Sequence, residues 1–411
     1  MRLLALSTFL LAAAALLPMG PRPPSAEAKG AGKKLKPMKV ANDAYPAAFR
    51  QRVNKAVDKG VEFLMAQQSV DGAWPATKAM LEHRLGHTAL MTLACLKGGI
   101  TVRDPQIRKA FKWMRTQPLT KTYDVGVLLM ALHALYSPKD EEQVVEVDKY
   151  GHRKIKDPCL SGMSKADRAW MKKAVDFLLE HQQGGHWRYP EKGVDVSNSQ
   201  YALLGLWAAS RCGFKIPSKV WMDSLEWLMK SQERQGRSVK LLVNEVRGKY
   251  RVAWTENARA RGFRYIPGTA SPVTGAMTTA GMAGMAICQD ELWGSRKFTP
   301  KLRAASRRSI RDSLAWMQDN FDVSRNPGEP GGGWHYYYLY GMERAGILAR
   351  ARFMGKFDWY KDGADFLLQA QRSDGGWYQQ DDVQIDTAFA ILFLKRSTSR
   401  TRNPAITPSG G

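Results

Sequence analysis

Aromatic residues in charged segments recur at a fixed interval along this chain: Phe63 and Trp113, Phe177 and Trp227, and Trp316 and Phe366 each stand 50 residues apart. Each lies in an amphipathic stretch that leads through a turn into a much more apolar one, which makes six copies of one unit. A helix pair of that size does not bury its own apolar face, so the units must stack on one another. The two longer intervals, 64 residues from Trp113 to Phe177 and 89 from Trp227 to Trp316, hold insertions at 138–165 and 233–268. In the second, the runs KYRVAW and GFRYI predict a small hairpin.

The two helices of a unit differ in kind. In the first unit Val53, Val57, Gly60, Val61 and Leu64 fall on one face, with Arg52, Lys55, Lys59 and Glu62 elsewhere, as in a helix that covers a core. The second helix type is apolar all round: Asp124 to Leu135 has only Asp124 and His133 as polar residues, and Asp386 to Leu394 is apolar after Thr387. Such helices must be covered on every side. The sixth unit is as strong a copy as the first and third, whereas an open array ends in a polar cap. The expected fold is all-α, a closed α/α toroid of six helix pairs with inner and outer rings.

Three copies carry a sharper pattern. Lys59-Gly60-x-x-Phe63-Leu64-x-x-x-Gln68-x-x-x-Gly72-x-Trp74 resembles the glutamine-tryptophan repeat of squalene-hopene and oxidosqualene cyclases. Lys173-Ala174-x-x-Phe177-Leu178-x-x-x-Gln182-x-x-Gly185-x-Trp187 matches it too, as does Gly363-x-x-Phe366-Leu367-x-x-x-Gln371-x-x-x-Gly375-x-Trp377. Trp227-Leu228-x-x-x-Gln232 is a partial copy. The resemblance spans residues 50 to about 396 and implies the toroid shared by terpenoid cyclases and protein prenyltransferase β subunits. Physically, the glycines suit a positive-φ turn ending the first helix. The Trp offers a large apolar surface and one N–H to bridge units, and the Gln amide satisfies backbone groups freed at the turn.

Compartment follows from the ends of the chain. Arg2, the apolar run Leu3 to Leu17 and Ala26-Glu27-Ala28 describe a secretory signal peptide over 1–28, too short to span a bilayer comfortably. Residues 29–48 then read as a basic flexible leader, 49–397 as the toroid and 398–411 as a disordered tail. Secreted or periplasmic localisation is expected, with membrane association open. A net charge of +24 favours anionic partners such as lipid headgroups at a membrane surface or an acidic polysaccharide. Export and the lack of a nucleic-acid module argue against nucleic acid. Cys95, Cys159, Cys212 and Cys288 are far apart with no C-x-x-C pair, so no metal and no cofactor are expected, and a single disulfide stays open.

Candidate site residues lie where the apolar helices begin, around the mouth of a toroid cavity. His87, Asp124, Asn198, Ser199, His335 and Tyr336 are the expected ligand-binding set, although Asp, Asn and Ser there also make good helix caps. The stretch GGGWHYYYLYGMER adds Tyr340, Glu343 and Arg344 at helical spacing, and these with Asp386 form the expected catalytic set. By the resemblance, a cyclase protonates an alkene with Asp-x-Asp-Asp; here Asp386 looks like the end of such a motif, but Gln384 and Ile385 before it supply no carboxylate. Asp157-Pro158-Cys159 has prenyltransferase zinc spacing yet lies in an insertion, and Cys288-Gln289 lacks thioester spacing. The expected function is therefore an exported binder of an apolar or isoprenoid-like ligand, with conventional cyclisation doubtful. One alternative is a uronate polysaccharide lyase using Asn198, His335, Tyr340 and Arg344; another is a non-catalytic envelope scaffold presenting its insertions.

Overall fold

Asp, Ser and Thr caps start most of the helices. Asp104 accepts from Gln106 N–H at 2.8 Å ahead of Pro105, Thr274 accepts from Met277 N–H at 3.2 Å, and Asp382 accepts from Gln384 N–H at 2.8 Å. The computed structural model describes residues 38–39, 45–137, 144–147, 153–156, 159–189, 193–247, 250–379 and 382–397; the expected signal peptide, most of the leader and the expected tail lie outside them. Among the described residues the chain is all-α in character, with few strands.

The amphipathic helices are α1 (Ala47–Ala66), α3 (Pro105–Met114), α6 (Lys165–Glu180), α8 (Ser218–Ser231), α10 (Pro300–Asp319) and α12 (Trp359–Ala370). Each is followed by an apolar helix: α2 (Arg84–Gly98), α4 (Thr122–Tyr136), α7 (Val196–Arg211), α9 (Gly275–Leu292), α11 (His335–Leu348) and α13 (Val383–Leu394). A short helix, α5 (Cys159–Gly162), precedes α6. The face of α1 that buries Val53, Val57, Gly60, Val61 and Leu64 is the one expected, while α4, α9 and α13 are buried on nearly all sides. Each apolar helix packs on the apolar helix of the next unit, and α13 packs on α2.

The glutamine-tryptophan turns explain how units dock. Gly72, Gly185 and Gly375 have φ of 99°, 90° and 91°. A Cβ on them would sit 2.5 Å from Lys109 O, 2.2 Å from Asp223 O and 2.6 Å from Lys59 O, all on the next amphipathic helix. Only glycine permits both the left-handed backbone and that approach. Gln68 donates to Gln106 O on α3 at 3.0 Å, Gln182 to Val220 O on α8 at 3.0 Å, and Gln232 to Ser309 O on α10 at 2.9 Å. Gln371 donates to Ala56 O on α1 at 2.8 Å, so the sixth unit grips the first as the first grips the second. The Trp N–H groups do not bridge: Trp74, Trp187 and Trp377 donate to Leu64 O, Leu178 O and Leu367 O of their own units at 2.7–2.8 Å. The carbonyls freed at a helix end lie closer than any neighbour, so the indole satisfies them and the longer Gln reaches across.

The second insertion forms a hairpin with different partners from those expected. After the short strands β1 (Met38–Lys39), β2 (Val144–Val147), β3 (Arg153–Lys156), β4 (Arg188–Tyr189) and β5 (Gly193–Val194), β6 (Arg237–Arg247) pairs with β7 (Tyr250–Ala260), whereas GFRYI contributes the short β8 (Phe263–Arg264), which pairs with β9 (Val273–Thr274). β6 and β7 lie against α10. A disulfide joins Cys159 of α5 to Cys212 at the end of α7; Cys95 and Cys288 are buried thiols. Asp157 and Pro158, the remainder of the zinc-spaced motif, lie outside the described residues.

Gln371→Leu and Gly375→Ala should each lower unfolding free energy by about 1–3 kcal/mol, one by losing bonds to Ala56 O and Gly375 O, the other by strain. Gln117→Leu, whose amide meets only the exposed Thr116 hydroxyl, should change it by less than about 0.5 kcal/mol. Urea unfolding of the three variants measures the difference.

Candidate functional site

Because every amphipathic helix leads into its apolar partner, the starts of the apolar helices gather at one end of the array. The connections there expose apolar side chains: Leu81, Tyr265, Trp334 and Tyr378 are all 40–56% accessible. Trp334 is held at φ 59°, a left-handed conformation that costs a residue with a Cβ, just after Gly331 and Gly332. Inside this rim the rings form a chain. His83 meets Tyr189 and Tyr123 at 5.6 Å each; Tyr123 meets Tyr201 at 4.7 Å, Tyr201 meets Tyr337 at 6.1 Å, and Tyr337 meets Phe389 at 5.6 Å. α4, α7, α11 and α13 each supply a ring.

Beneath these rings lies Arg344, fully buried. Its guanidinium sits 4.0 Å from the Tyr340 ring centre, 5.5 Å from Tyr201 and 5.6 Å from Tyr337. Its Nη2 donates to Gln200 Oε1 at 3.2 Å, the same oxygen that accepts from the Tyr337 hydroxyl at 3.0 Å, and that hydroxyl also meets Ser197 Oγ at 2.9 Å. Nε and Nη1 of Arg344 and Nε2 of Gln200 have no hydrogen-bond partner among the described residues. Burial raises the phenols of Tyr123, Tyr201, Tyr337 and Tyr340, and the nearby guanidinium offsets only part of this for the last three. They are neutral hydrogen-bonding groups at pH 7. Beyond Tyr340, at the opposite helix ends, a cavity of about 40 Å³ is lined in part by Met130, His133, Trp207 and Arg211.

The expected residues divide among several places. Tyr340 and Arg344 meet directly, whereas the charge of Glu343 bears on Tyr340 and on Tyr360 of α12. Asp386 accepts from Gln379 N–H at 3.0 Å and lies near Tyr336, whose phenol is raised by burial and then by that carboxylate. The two positions before Asp386 serve the scaffold: Gln384 bonds Gln67 Oε1 of the α1 end at 3.0 Å, and Ile385 donates its N–H to Asp382 at 3.3 Å. His87 is buried, which holds its pKa down, and the charge of Asp382 opposes that shift. Asp124 accepts from or pairs with His83 Nδ1 at 2.9 Å; burial raises its pKa and the histidine offsets part. His335 bonds Val323 O at 2.9 Å through Nε2 and Gln379 through Nδ1, so both nitrogens tie loops together. Ser199 accepts from Trp187 N–H at 3.1 Å and donates to Asp195 O at 2.9 Å, and Asn198 Nδ2 bonds Asp195 at 3.2 Å.

Tyr337 lies in the Tyr-rich run that the sequence marks, whereas Ser197, Gln200, Tyr201 and Phe389 are not among the residues expected from it. Gln200-Tyr201 inside the apolar run that follows Asn198 was the available signal, since a buried amide needs a partner. No metal-binding cluster of three or more His, Cys, Asp or Glu occurs among the described residues.

No protein-family model and no curated protein sequence matches the chain. Solved structures do. A Tyr-to-Phe variant of the type II terpene cyclase MstE from Scytonema, without ligand, aligns at TM-score 0.50 and 12% identity over 86% of this chain and 99% of that one. An Asp-to-Asn variant of MstE in complex with geranylgeranyl dihydroxybenzoate aligns at TM-score 0.45 and 11% identity over 86% and 99%. This chain has a terpenoid-cyclase-like fold. Within that fold, the ring-lined end described above is built from residues of four apolar helices rather than from one motif.

Asp195, cap of α7, is buried, and desolvation pushes its pKa up to about 6 despite its bonds to Asn198. A raised folded pKa means stability that is present below about pH 4 and lost as pH rises through about 6. Asp195→Asn keeps the cap acceptor and should abolish a fall of about 2–3 kcal/mol across that window. Unfolding free energies of both proteins from pH 4 to 7 measure it.

Proposed function

We propose that the six helix pairs close into an α/α toroid, that the protein is exported, and that its ring-lined mouth binds an apolar, isoprenoid-like ligand without cyclising it through a carbocation. Closure is supported by the packing of α13 on α2 and by Gln371 reaching Ala56. Export is supported by the Cys159–Cys212 disulfide, a bond that persists in oxidising compartments. The ligand class is supported by the fold and by the exposed rim of Leu81, Tyr265, Trp334 and Tyr378 above buried rings.

The observation that carries the non-cyclising part is the position of Arg344. Cyclisation builds positive charge on the substrate, and ring faces stabilise it. Here the faces of Tyr201, Tyr337 and Tyr340 already hold a guanidinium, and two cations 4 Å apart repel by about 4 kcal/mol at an effective dielectric of 20. The acid motif is incomplete as well, because Val383 and Ile385 stand where an Asp-x-Asp-Asp ending at Asp386 carries its other two carboxylates. The open N–H groups of Arg344 suit instead a ligand with an acceptor or carboxylate at its leading end. A uronate lyase has less support, since its base would be a neutral buried phenol and His335 is tied to two loops.

Lipid extracted from protein isolated from its own envelope should contain an isoprenoid-like species by mass spectrometry. Added polyprenyl compounds should quench Trp334 fluorescence, with affinity about tenfold weaker in Tyr337→Ala. Incubation with squalene or a geranylgeranyl phenol should return substrate unchanged by gas chromatography. Failure to bind any isoprenoid overturns the ligand; a cyclic product that disappears in Asp386→Asn overturns the absence of cyclisation.

A further inference from the structure

α10 carries Arg303, Arg307 and Arg311 at intervals of four residues, with Arg308 beside them. That spacing puts a guanidinium on one helix face about every 6 Å. The hairpin β6–β7 faces this stripe with Lys240 and Arg259, and the two walls enclose a groove of about 1110 Å³ outside the ring-lined mouth.

Acids in the groove are few and committed. Glu256 pairs with Arg311 at 3.1 Å. Asp312 pairs with Arg261 at 2.7 Å and accepts the Arg259 backbone N–H at 2.9 Å. Lys240, Arg259, Arg303, Arg307 and Arg308 have no carboxylate partner among the described residues; Lys240 meets only Asn257 Oδ1 at 2.6 Å. The stripe is also held in place. Arg303 lies 4.7 Å from the Trp293 ring centre and 5.4 Å from Phe298, and Arg307 lies 5.9 Å from Trp293. Arg303 Nη2 donates to Phe298 O at 3.5 Å, while its Nε and that of Arg307 are shielded from solvent with no acceptor among the described residues. Burial and the charges of Arg303 and Arg311 together hold the Arg307 pKa down, the mark of crowded like charges. None of these five cations is neutralised by a carboxylate among the described residues: Arg303 and Arg307 are half-buried and held against rings, while Arg308, Arg259 and Lys240 are exposed to whatever enters the groove.

We propose that this groove binds a linear polyanionic glycan carrying a carboxylate or sulfate at regular intervals, laid along α10. An arginine fork matches either group in bidentate fashion. The site is a concave slot, which suits an extended chain better than the plane of a bilayer. Trp293 already carries two guanidiniums, so it offers no free platform for the base stacking that single-stranded nucleic acid uses.

The test uses the full chain and immobilised polygalacturonate, dextran sulfate and neutral dextran, with phosphatidylglycerol vesicles and single-stranded oligonucleotide alongside. Wild type should bind at least one of the two charged glycans, not dextran, with affinity falling as salt rises; which of the two is preferred separates carboxylate from sulfate. Arg307→Gln/Arg308→Gln should weaken binding at least tenfold, and Lys240→Gln on the facing wall severalfold, with unchanged melting temperature. Arg50→Gln/Arg52→Gln removes the same charge from exposed positions on α1 and should leave affinity within twofold. Equal losses in the two double variants would assign binding to net charge and overturn the proposal. So would tighter binding of vesicles or oligonucleotide, or no binding of either charged glycan.

Discussion

A glutamine amide that reaches from its own turn to the backbone of the next amphipathic helix sets the position of four of the six units on their neighbours. Gln68, Gln182, Gln232 and Gln371 all do this, and the first, second and fourth stand beside a positive-φ glycine that lets the two backbones touch. The arrangement is polar and at least partly buried, so it is specific: a helix displaced by one turn leaves the amide and a carbonyl without partners, at a cost of up to about 1–3 kcal/mol each. Hydrophobic contact between apolar helices supplies bulk stability but little register. The register that brings rings of different units together at one end draws on these docks.

The ring-lined end shows why a fold and a reaction must be read separately. Four apolar helices, α4, α7, α11 and α13, each contribute a ring to one end of this terpenoid-cyclase-like fold. What differs is the occupant of their faces. A buried guanidinium resting on Tyr201, Tyr337 and Tyr340 is stable because the rings and Gln200 replace its water, and the same geometry makes the place hostile to a second positive charge. Fold likeness therefore transfers architecture, while the chemistry must be read from these side chains.

Much of the architecture was legible because it is written in periodicities. The 50-residue interval marked units, the amphipathic face of α1 and the apolar runs of α4 and α13 marked which helices are buried, and the turn glycines marked positive φ. The hairpin was legible as β structure but not in its pairing, since KYRVAW joins SVKLLVNEV and GFRYI does not join it. Strand pairing depends on which segment the turn brings alongside, and alternating patterns fit several partners.

The site was legible only in part, for a related reason. Polar residues near helix starts look alike in sequence whether they cap, bridge or face a ligand. Ser199 and His335 are engaged in bonds to neighbouring loops and turns, while Gln200 and Tyr201, which no sequence pattern marks, join Tyr337 of the Tyr-rich run around Arg344. The sequence by itself determined the helical units, their two kinds and the absence of a complete acid motif, because these depend on residues near one another in the chain. Tertiary structure alone decided that Arg344 rests on rings from α7 and α11, and that arginines of α10 face a hairpin more than forty residues away. Such meetings depend on how separate units turn toward one another, which no local pattern encodes.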